Sequence, residues 1–357
     1  DAQVTYEIFA KQEPRSEVLK NSAAQARAAF ALHLMSCWGV ITDRSQVEKL
    51  KNTIEDSMAQ SESVMKEHGL IRTNGTKNLK LIRELVAECL GKSAPKTNKG
   101  SIKTDDKTLE KCDHVALKAL SQYKAAEKIN STWVHHLERG VDEVVQPTYN
   151  VLVETGRTSC RNPNIQNPHR TNGLRECFIP RKGFLYAACD YSSLEMCTLA
   201  QACIWLFGES ALANAINKGI DPHLKLAAQI LAIDYDTAKE RIESGDKEIR
   251  KVRQLSKAAN FGYPGGMGPA SFMSFASGYG IHLTLRESTR LRNSWFDAWP
   301  EMRKYFDYVT SVSKHPQARI KQFVSERYRG AVRFTSACNS YFQGLAADGA
   351  KAAVYGV

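Results

Sequence analysis

The sequence predicts a mostly helical α+β protein, and three observations predict it. Between residues 21 and 136, apolar residues recur three and four apart in long runs, the period of amphipathic helices. From about Pro147 the pattern changes to short apolar runs separated by polar, Pro-containing stretches. Residues 221–261 then return to helix and break abruptly into Pro264, Gly265 and Gly266. At 357 residues the chain exceeds one typical domain and can bury two or more cores.

Residues 1–20 read as a helix end followed by a polar connector, with Pro14 as a stop. Residues 23–38 form an apolar helix closed by Gly39. Gln25, Arg27 and His33 within it mark a core helix, not a membrane span. Asp43 or Ser45 caps a third helix through Ser63, with Val47, Leu50, Ile54 and Met58 on its apolar stripe. Residues 79–90 form another, ended by Gly91. The stretch 91–111 carries six lysines, two glycines and a proline, so it is an exposed loop. Two readings stay open for it: a solvated linker, or a loop laying lysines along a phosphate backbone. Asp105 or Asp106 starts a helix over 107–136.

Residues 149–153 read as a short strand, and 155–170 as polar and irregular around Pro163 and Pro168. Segments this rich in Asn, Gln and Arg can bond base edges and phosphates, and they also occur in ordinary loops. The apolar run 184–189 predicts a buried strand that delivers Asp190 at its end. Ser192 or Ser193 then caps a helix bearing Glu195. A strand-end carboxylate beside backbone carbonyls suits a hard divalent cation such as magnesium, or else serves as a plain helix cap. Helix over 221–261 is expected to break near 233–236. On its last part Arg253, Lys257 and Phe261 fall at i, i+4 and i+8, lining two cations and a ring along one face. That face is either a polyphosphate grip with a ring for a sugar or base, or a solvated basic face beside a core phenylalanine. After Gly280 the chain is helical around Trp295 and Trp299. It turns between Pro316 and Gly330, then ends in a small-residue helix with Asn339, Gln343 and Asp348.

The net charge is +11, from 49 basic and 38 acidic residues, which suits a polyanionic partner. Nine cysteines show no CxxC pair and no metal-ligand spacing, which argues against zinc and fits a reducing, cytoplasmic setting. No signal peptide is apparent, and the chain begins at Asp1 without a methionine.

Four segments in this order carry a resemblance: TGRTSCRNPNIQN (155–167), DYSSLEM (190–196), RQLSKAANFG (253–262) and NSYFQGLAAD (339–348). Together they resemble family A DNA polymerases, the group of bacterial DNA polymerase I and many phage replicases, over roughly residues 20–357. The resemblance implies a right-hand architecture. Residues 21–148 would be a helical thumb, 149–219 an antiparallel-sheet palm, 220–335 helical fingers, and 336–357 a return to the palm. Residues 1–20 would end a 3′–5′ exonuclease-like domain, since DAQVT resembles its third motif, with Asp1 at the metal-binding aspartate. Proofreading is not expected from these residues alone.

By the same resemblance the chain implies a template-directed polymerase that adds deoxynucleotides to a primer 3′-hydroxyl with two magnesium ions, manganese being a possible substitute. Asp190 and the main-chain carbonyl of Tyr191 would bind metal. Arg253, Lys257 and His223 would hold the triphosphate. Glu195 would oppose a 2′-hydroxyl, and Phe261 sits where single-subunit RNA polymerases usually carry Tyr. Arg157, Asn339 and Gln343 would touch the minor-groove side of the primer terminus, where acceptors are alike for all four pairs. Asn164 and Gln166 would contact DNA, as would Lys96, Lys99 and Lys103 at the thumb tip. Asp348 would order the polar network. The implied partners are primer-template DNA and deoxynucleoside triphosphates. The competing readings are a non-catalytic DNA-binding remnant and an RNA polymerase of related fold.

Two departures from the family pattern stand out. Where the family usually has Tyr-Gly, eight and nine residues after the lysine, this chain has Gly265-Gly266. Tyr263 points away from that face of a helix, and Pro264 lacks an N–H and clashes with the carbonyl of Asn260, so helix should end there. The family's second metal-binding aspartate lies in a His-Asp-Glu motif, and that tripeptide does not occur in residues 1–357. One carboxylate supplies too few hard ligands for two ions, so these residues are expected to be part of a longer protein.

Overall fold

The computed structural model describes residues 2–12, 21–170, 173–278 and 280–357. The expectations for residues 13–20, and for Asp1 as a metal-binding aspartate, lie outside the described residues. The chain divides into two units, one of residues 33–149 and 159–188, the other of residues 1–32, 150–158 and 189–357. Helix α1 (Ala2–Gln12) precedes helix α2 (Ser22–Trp38), within which the chain passes from the second of these units to the first.

The unit of residues 33–149 and 159–188 is built on α3 (Arg44–Glu67), whose N-cap Asp43 accepts from Gln46 N at 2.9 Å. Between Val40 and α3 lies β1 (Ile41–Thr42). Helix α4 (Leu79–Leu90) starts at the cap Asn78 and ends at Gly91, whose φ is +53°. The single helix expected over 107–136 is instead divided. Asp105 caps α5 (Asp106–Leu109), and His114, in extended backbone, caps α6 (Val115–Ile129). Leu109 and Cys112 are buried at the break, so tertiary burial outweighs continuous helix here. A π-helical turn (Asn130–Val134) then leads into α7 (His135–Asp142). The π turn puts Trp133 and Val134 into a core with Val47, Leu50, Ile54, Leu137 and Leu174. A second core gathers Met65, Leu70, Ile82, Val86, Leu117 and Leu120 around the loop-bearing end. Each such side chain, fully buried, contributes about 1.5–3 kcal/mol.

The strand expected at 149–153 is β2 (Thr148–Asn150). It stops early because Asn150 Oδ1 accepts from Leu152 N at 2.9 Å, an Asx turn that bends the chain. After β3 (Ser159–Arg161), β4 (Phe178–Ile179) pairs antiparallel with β1, Ile41 facing Ile179 and Thr42 facing Phe178. The buried strand expected over 184–189 is not formed. Those residues take no regular structure, and Leu185 is 92% exposed. An apolar run becomes a strand only where a neighbour takes its N–H and C=O groups, and no described segment pairs with this one.

The other unit carries helices α8 (Leu194–Phe207), α9 (Ala211–Asn217), α10 (Pro222–Ile230), α11 (Tyr235–Glu243) and α12 (Lys247–Gly262). They are followed by α13 (Pro269–Ser277), α14 (Leu285–Ala298) and α15 (Glu301–Val312). Helix over 221–261 breaks near 233 as expected and again at 244–246. There Gly245 has φ +87° and Asp246 caps α12 through Glu248 N at 2.8 Å. A hairpin of β5 (Ile320–Lys321) and β6 (Tyr328–Arg329) pairs Ile320 with Arg329 and Lys321 with Tyr328. Helix α16 (Phe334–Asn339), a π turn (Ser340–Gly344) and α17 (Leu345–Gly356) close the chain. The core gathers Tyr263, Phe272, Trp295, Trp299, Tyr305 and Phe342. Among the described residues, no helix is long and apolar enough to cross a membrane.

Candidate functional site

Helix α12 presents the face that its spacing predicts. Arg253, Lys257 and Phe261 are each partly exposed, while Ala258, Ala259 and Asn260 beside them are buried. Arg253 does not point free. Its guanidinium meets Asp221 through Nε at 2.8 Å and Nη2 at 2.7 Å. Asp221 also caps α10, accepting from His223 N at 2.8 Å and Leu224 N at 3.3 Å. Burial pushes its carboxyl up, but these N–H donors outweigh burial and hold it below the usual carboxylate range.

His223, in the first turn of α10, packs its ring 5.6 Å from Phe261 between centroids. Burial pushes its imidazole down to about 4, with Arg253 and Lys257 pushing the same way against the pull of Asp221. The ring is therefore neutral at pH 7. Behind it Asn260 is buried, its Nδ2 3.2 Å from Pro222 O and 3.0 Å from His223 Nδ1.

Glu195 sits in the first turn of α8, behind Ser193 at φ +53°. Ser193 occupies the cap position as expected, without a side-chain cap bond. Glu195 is paired with Arg157, Oε1 to Nη2 at 3.0 Å, so two residues of separate motifs meet. Helix α8 is tied to the π turn bearing Gln343 through Thr198 Oγ1, which donates to Phe342 O at 3.0 Å. Gly156, at φ +86°, stands where a Cβ would overlap the Arg327 guanidinium. Arg327 thereby reaches Asp348, Nε to Oδ1 at 3.3 Å, and Ser325 Oγ donates to Asp348 at 2.6 Å. Asp348 thus belongs to a shielded ion pair and not to an open helix surface.

The Pro264-Gly265-Gly266 break is a 3₁₀ turn (Tyr263–Gly265) packed against α16. A Cβ on Gly265 would lie 2.9 Å from Asn339 Oδ1, and one on Gly266, at φ +81°, 2.7 Å from Phe334 Cε1. The glycines admit α16, so the ring beside this turn comes from Phe334. Tyr263 is fully buried, stacked on Phe272 at 4.4 Å and bonded to Ser288 O at 3.0 Å. Its side chain is committed to the core. Asn339 Nδ2 donates to Thr335 O at 2.8 Å, within its own helix.

Asp190 and Tyr191 are exposed at the end of the 184–189 run. Among the described residues no three His, Cys, Asp or Glu gather as a metal cluster. One exposed carboxylate with a carbonyl neighbour fits a contribution to a hard cation, but it does not fit a two-ion centre by itself.

In the other unit, Asn164 and Gln166 are exposed on a turn whose Asn167 N donates to Asn164 O at 3.1 Å. Lys96, Lys99 and Lys103 are exposed on a loop closed by Thr97 N to Ser101 O at 2.8 Å and Lys103 N to Pro95 O at 2.8 Å. The loop is thus an ordered basic projection. Sequence reasoning missed Asp221, Asn260 and Arg327 as members of these networks. Asp221 was findable, since Asp before Pro at a helix start is a capping signature. Nothing local marks Arg327.

Residues 44–357 match the family model of DNA polymerase family A. The chain is 28% identical over 316 residues to DNA polymerase I of Aquifex aeolicus, covering 86% of this chain and 51% of that protein. It is 25% identical over 344 residues to DNA polymerase I of Bacillus subtilis, covering 90% of this chain and 36% of that protein. Its fold is similar to the POL domain of Pol1 from M. smegmatis, solved in complex with DNA primer-template and dNTP. The TM-score is 0.69 at 24% identity, over 92% of this chain and 58% of that one. The chain therefore spans about half the length, or less, of these curated relatives.

Proposed function

The chain belongs to DNA polymerase family A, and on that premise we propose that it carries the nucleotide- and primer-binding machinery of a template-directed DNA polymerase. The observation that supports this most is the α12 face, where Arg253, Lys257 and neutral His223 stand around Phe261. On this reading residues 21–148 are the thumb, 149–219 and 336–357 palm, and 220–335 fingers.

A deoxynucleoside triphosphate brings its phosphates to Arg253 and Lys257, and Arg253 exchanges Asp221 for phosphate oxygen. These cations add positive charge where negative charge builds on the leaving pyrophosphate. Phe261 faces the sugar and base. Glu195, held by Arg157, opposes a 2′-hydroxyl and so selects deoxynucleotides. Arg157, Asn339 and Gln343 meet the minor-groove side of the primer terminus and test its geometry without reading sequence. Asn164 and Gln166 meet the DNA strand, and Lys96, Lys99 and Lys103 its phosphates. Asp190 and the Tyr191 carbonyl would be this chain's contribution to holding divalent ions, magnesium with manganese as substitute, which would supply activation of the primer hydroxyl and positive charge for the leaving group. What these residues do themselves is bind, orient and neutralise.

Primer extension by the intact protein, one deoxynucleotide at a time, tests the reading. Incorporation that follows the template base is expected. Tight primer-template binding without any extension would instead support a non-catalytic DNA-binding protein.

A further inference from the structure

Three side chains and one backbone carbonyl around Asn260 fix one another's hydrogens. Trp295 Nε1 and Trp299 Nε1 lie 3.1 Å and 3.0 Å from Asn260 Oδ1. An indole N–H only donates, so that atom must be the amide oxygen and the far one the NH2 group. The NH2 group has two hydrogens and two neighbours, Pro222 O at 3.2 Å and His223 Nδ1 at 3.0 Å. The carbonyl only accepts. Nδ1 faces a donor, so it accepts as well, and a neutral imidazole with a bare Nδ1 carries its hydrogen on Nε2. Every member is buried: Asn260, Trp295 and Trp299 are each 1% exposed and His223 6%. Water therefore does not substitute for these partners.

We infer that Asn260, anchored by Trp295 and Trp299, is a positioning residue that locks His223 in the Nε2–H tautomer and so presents a fixed neutral donor to the triphosphate. The second half of that statement rests on the proposed function; the tautomer itself does not. The design has a physical rationale. A neutral donor adds a hydrogen bond to phosphate without a third full charge next to Arg253 and Lys257, and it needs no proton uptake near neutral pH. The charged groups bearing on the ring are Asp221, Arg253 and Lys257. Lys225 Nζ lies 4.8 Å from the centroid of the Trp299 ring. Asp221 alone favours the imidazolium, and it is already occupied by Arg253.

Asn260→Asp reverses the logic at one atom. One carboxylate oxygen still accepts both indoles, while the other, when ionised, faces Nδ1 as an acceptor and requires a hydrogen there; a neutral acid would instead donate and leave Nδ1 bare. The test is long-range 1H–15N correlation of imidazole-labelled intact protein, with His223→Gln identifying the signal. At pH 7 the wild type is expected to show bare Nδ1 and protonated Nε2, unchanged down to pH 5.5. An Nδ1–H tautomer or an imidazolium there would overturn the inference. Free imidazole already favours Nε2–H, so the variant carries the discrimination: Asn260→Asp should show a protonated Nδ1. An unaltered Nε2–H signal in that variant, read at a pH where the 13C shift of the new carboxyl reports carboxylate, would also overturn it. Trp299→Phe leaves the Trp295 anchor and should keep the wild-type pattern; reversal would place the anchoring on Trp299 alone and overturn the two-indole anchor. If Asn260→Asp does not fold, Asn260→Ala carries the discrimination: with the donor to Nδ1 removed it should show a mixture of both tautomers where the wild type shows Nε2–H alone, and Nε2–H alone in that variant would overturn the inference. A separate readout addresses the ligand. Nucleotide KM should be flat between pH 5.5 and 8 in the wild type and acquire a step in Asn260→Asp. Spectra as expected with nucleotide affinity unchanged in His223→Gln would sink the triphosphate reading and leave the tautomer standing.

Discussion

On the proposed reading, Asp221→Asn isolates the charge that holds Arg253 back from a nucleotide. The pair is close, 2.7 Å, but its side chains keep 34% and 31% of their exposure. Solvent screens such a pair, and an interaction of about 1 kcal/mol is the appropriate scale. Asparagine caps a helix about as well as aspartate, so His223 N and Leu224 N keep their acceptor. The substitution removes one negative charge from beside the proposed triphosphate site and releases Arg253 without loosening α10. Converted at 1.4 kcal/mol per tenfold, about 1 kcal/mol predicts a nucleotide KM roughly fivefold lower. Steady-state incorporation on a saturating primer-template measures it, with thermal unfolding as the control. Asp221→Ala removes the cap too and should cost about 1 kcal/mol of stability. A KM that stays put or rises in Asp221→Asn, with stability intact, would mean Asp221 orients Arg253 for the nucleotide and does not compete with it.

Gly266→Ala forces a Cβ to 2.7 Å from Phe334 Cε1 at φ +81°. Left-handed strain of about 1–2 kcal/mol plus overpacking of about 1–3 should show as lost stability in urea unfolding; a neutral result would contradict the packing. Neutralising Lys96, Lys99 and Lys103 together should flatten the dependence of log K for DNA on log salt by about 2.7, at about 0.9 per phosphate contact. An unaltered slope would mean the loop never meets phosphate. His223 is held near 4 by burial, below the roughly 6.5 of an unfolded chain. Between those values the unfolded chain binds a proton that the folded one refuses, so stability falls as pH drops from 6.5 towards 4. The loss is about 3 kcal/mol at about 1.36 per unit, and His223→Gln should abolish that part of the slope in pH-dependent unfolding. A slope unchanged by the substitution would place the acid sensitivity elsewhere.

Where structure is decided within a few residues, the sequence is a sufficient guide. Asp43 caps because its side chain reaches a backbone N–H three residues on, and Gly91 ends α4 because it accepts a positive φ. Pro264 stops α12 for an equally local reason. The break between α5 and α6 is different, since it depends on where Leu109 and Cys112 are buried. The apolarity of residues 184–189 predicts burial, yet burial belongs to a pairing, and no described segment supplies it. The site shows the same division. Spacing puts Arg253, Lys257 and Phe261 on one face, but it does not show Asp221 holding Arg253. Nor does it show that Gly156 makes room for Arg327, or that two distant indoles turn Asn260 towards His223. These are matters of tertiary approach.

The central claim is that the basic face of α12 grips a nucleotide triphosphate. Nucleotide affinity of Lys257→Ala in the ternary complex with primer-template, from single-turnover incorporation, tests it most directly. A charge-assisted hydrogen bond of about 1.5–3 kcal/mol predicts a Kd weaker by roughly 10- to 100-fold, with primer-template affinity unchanged. Nucleotide affinity equal to that of the wild type would contradict the claim.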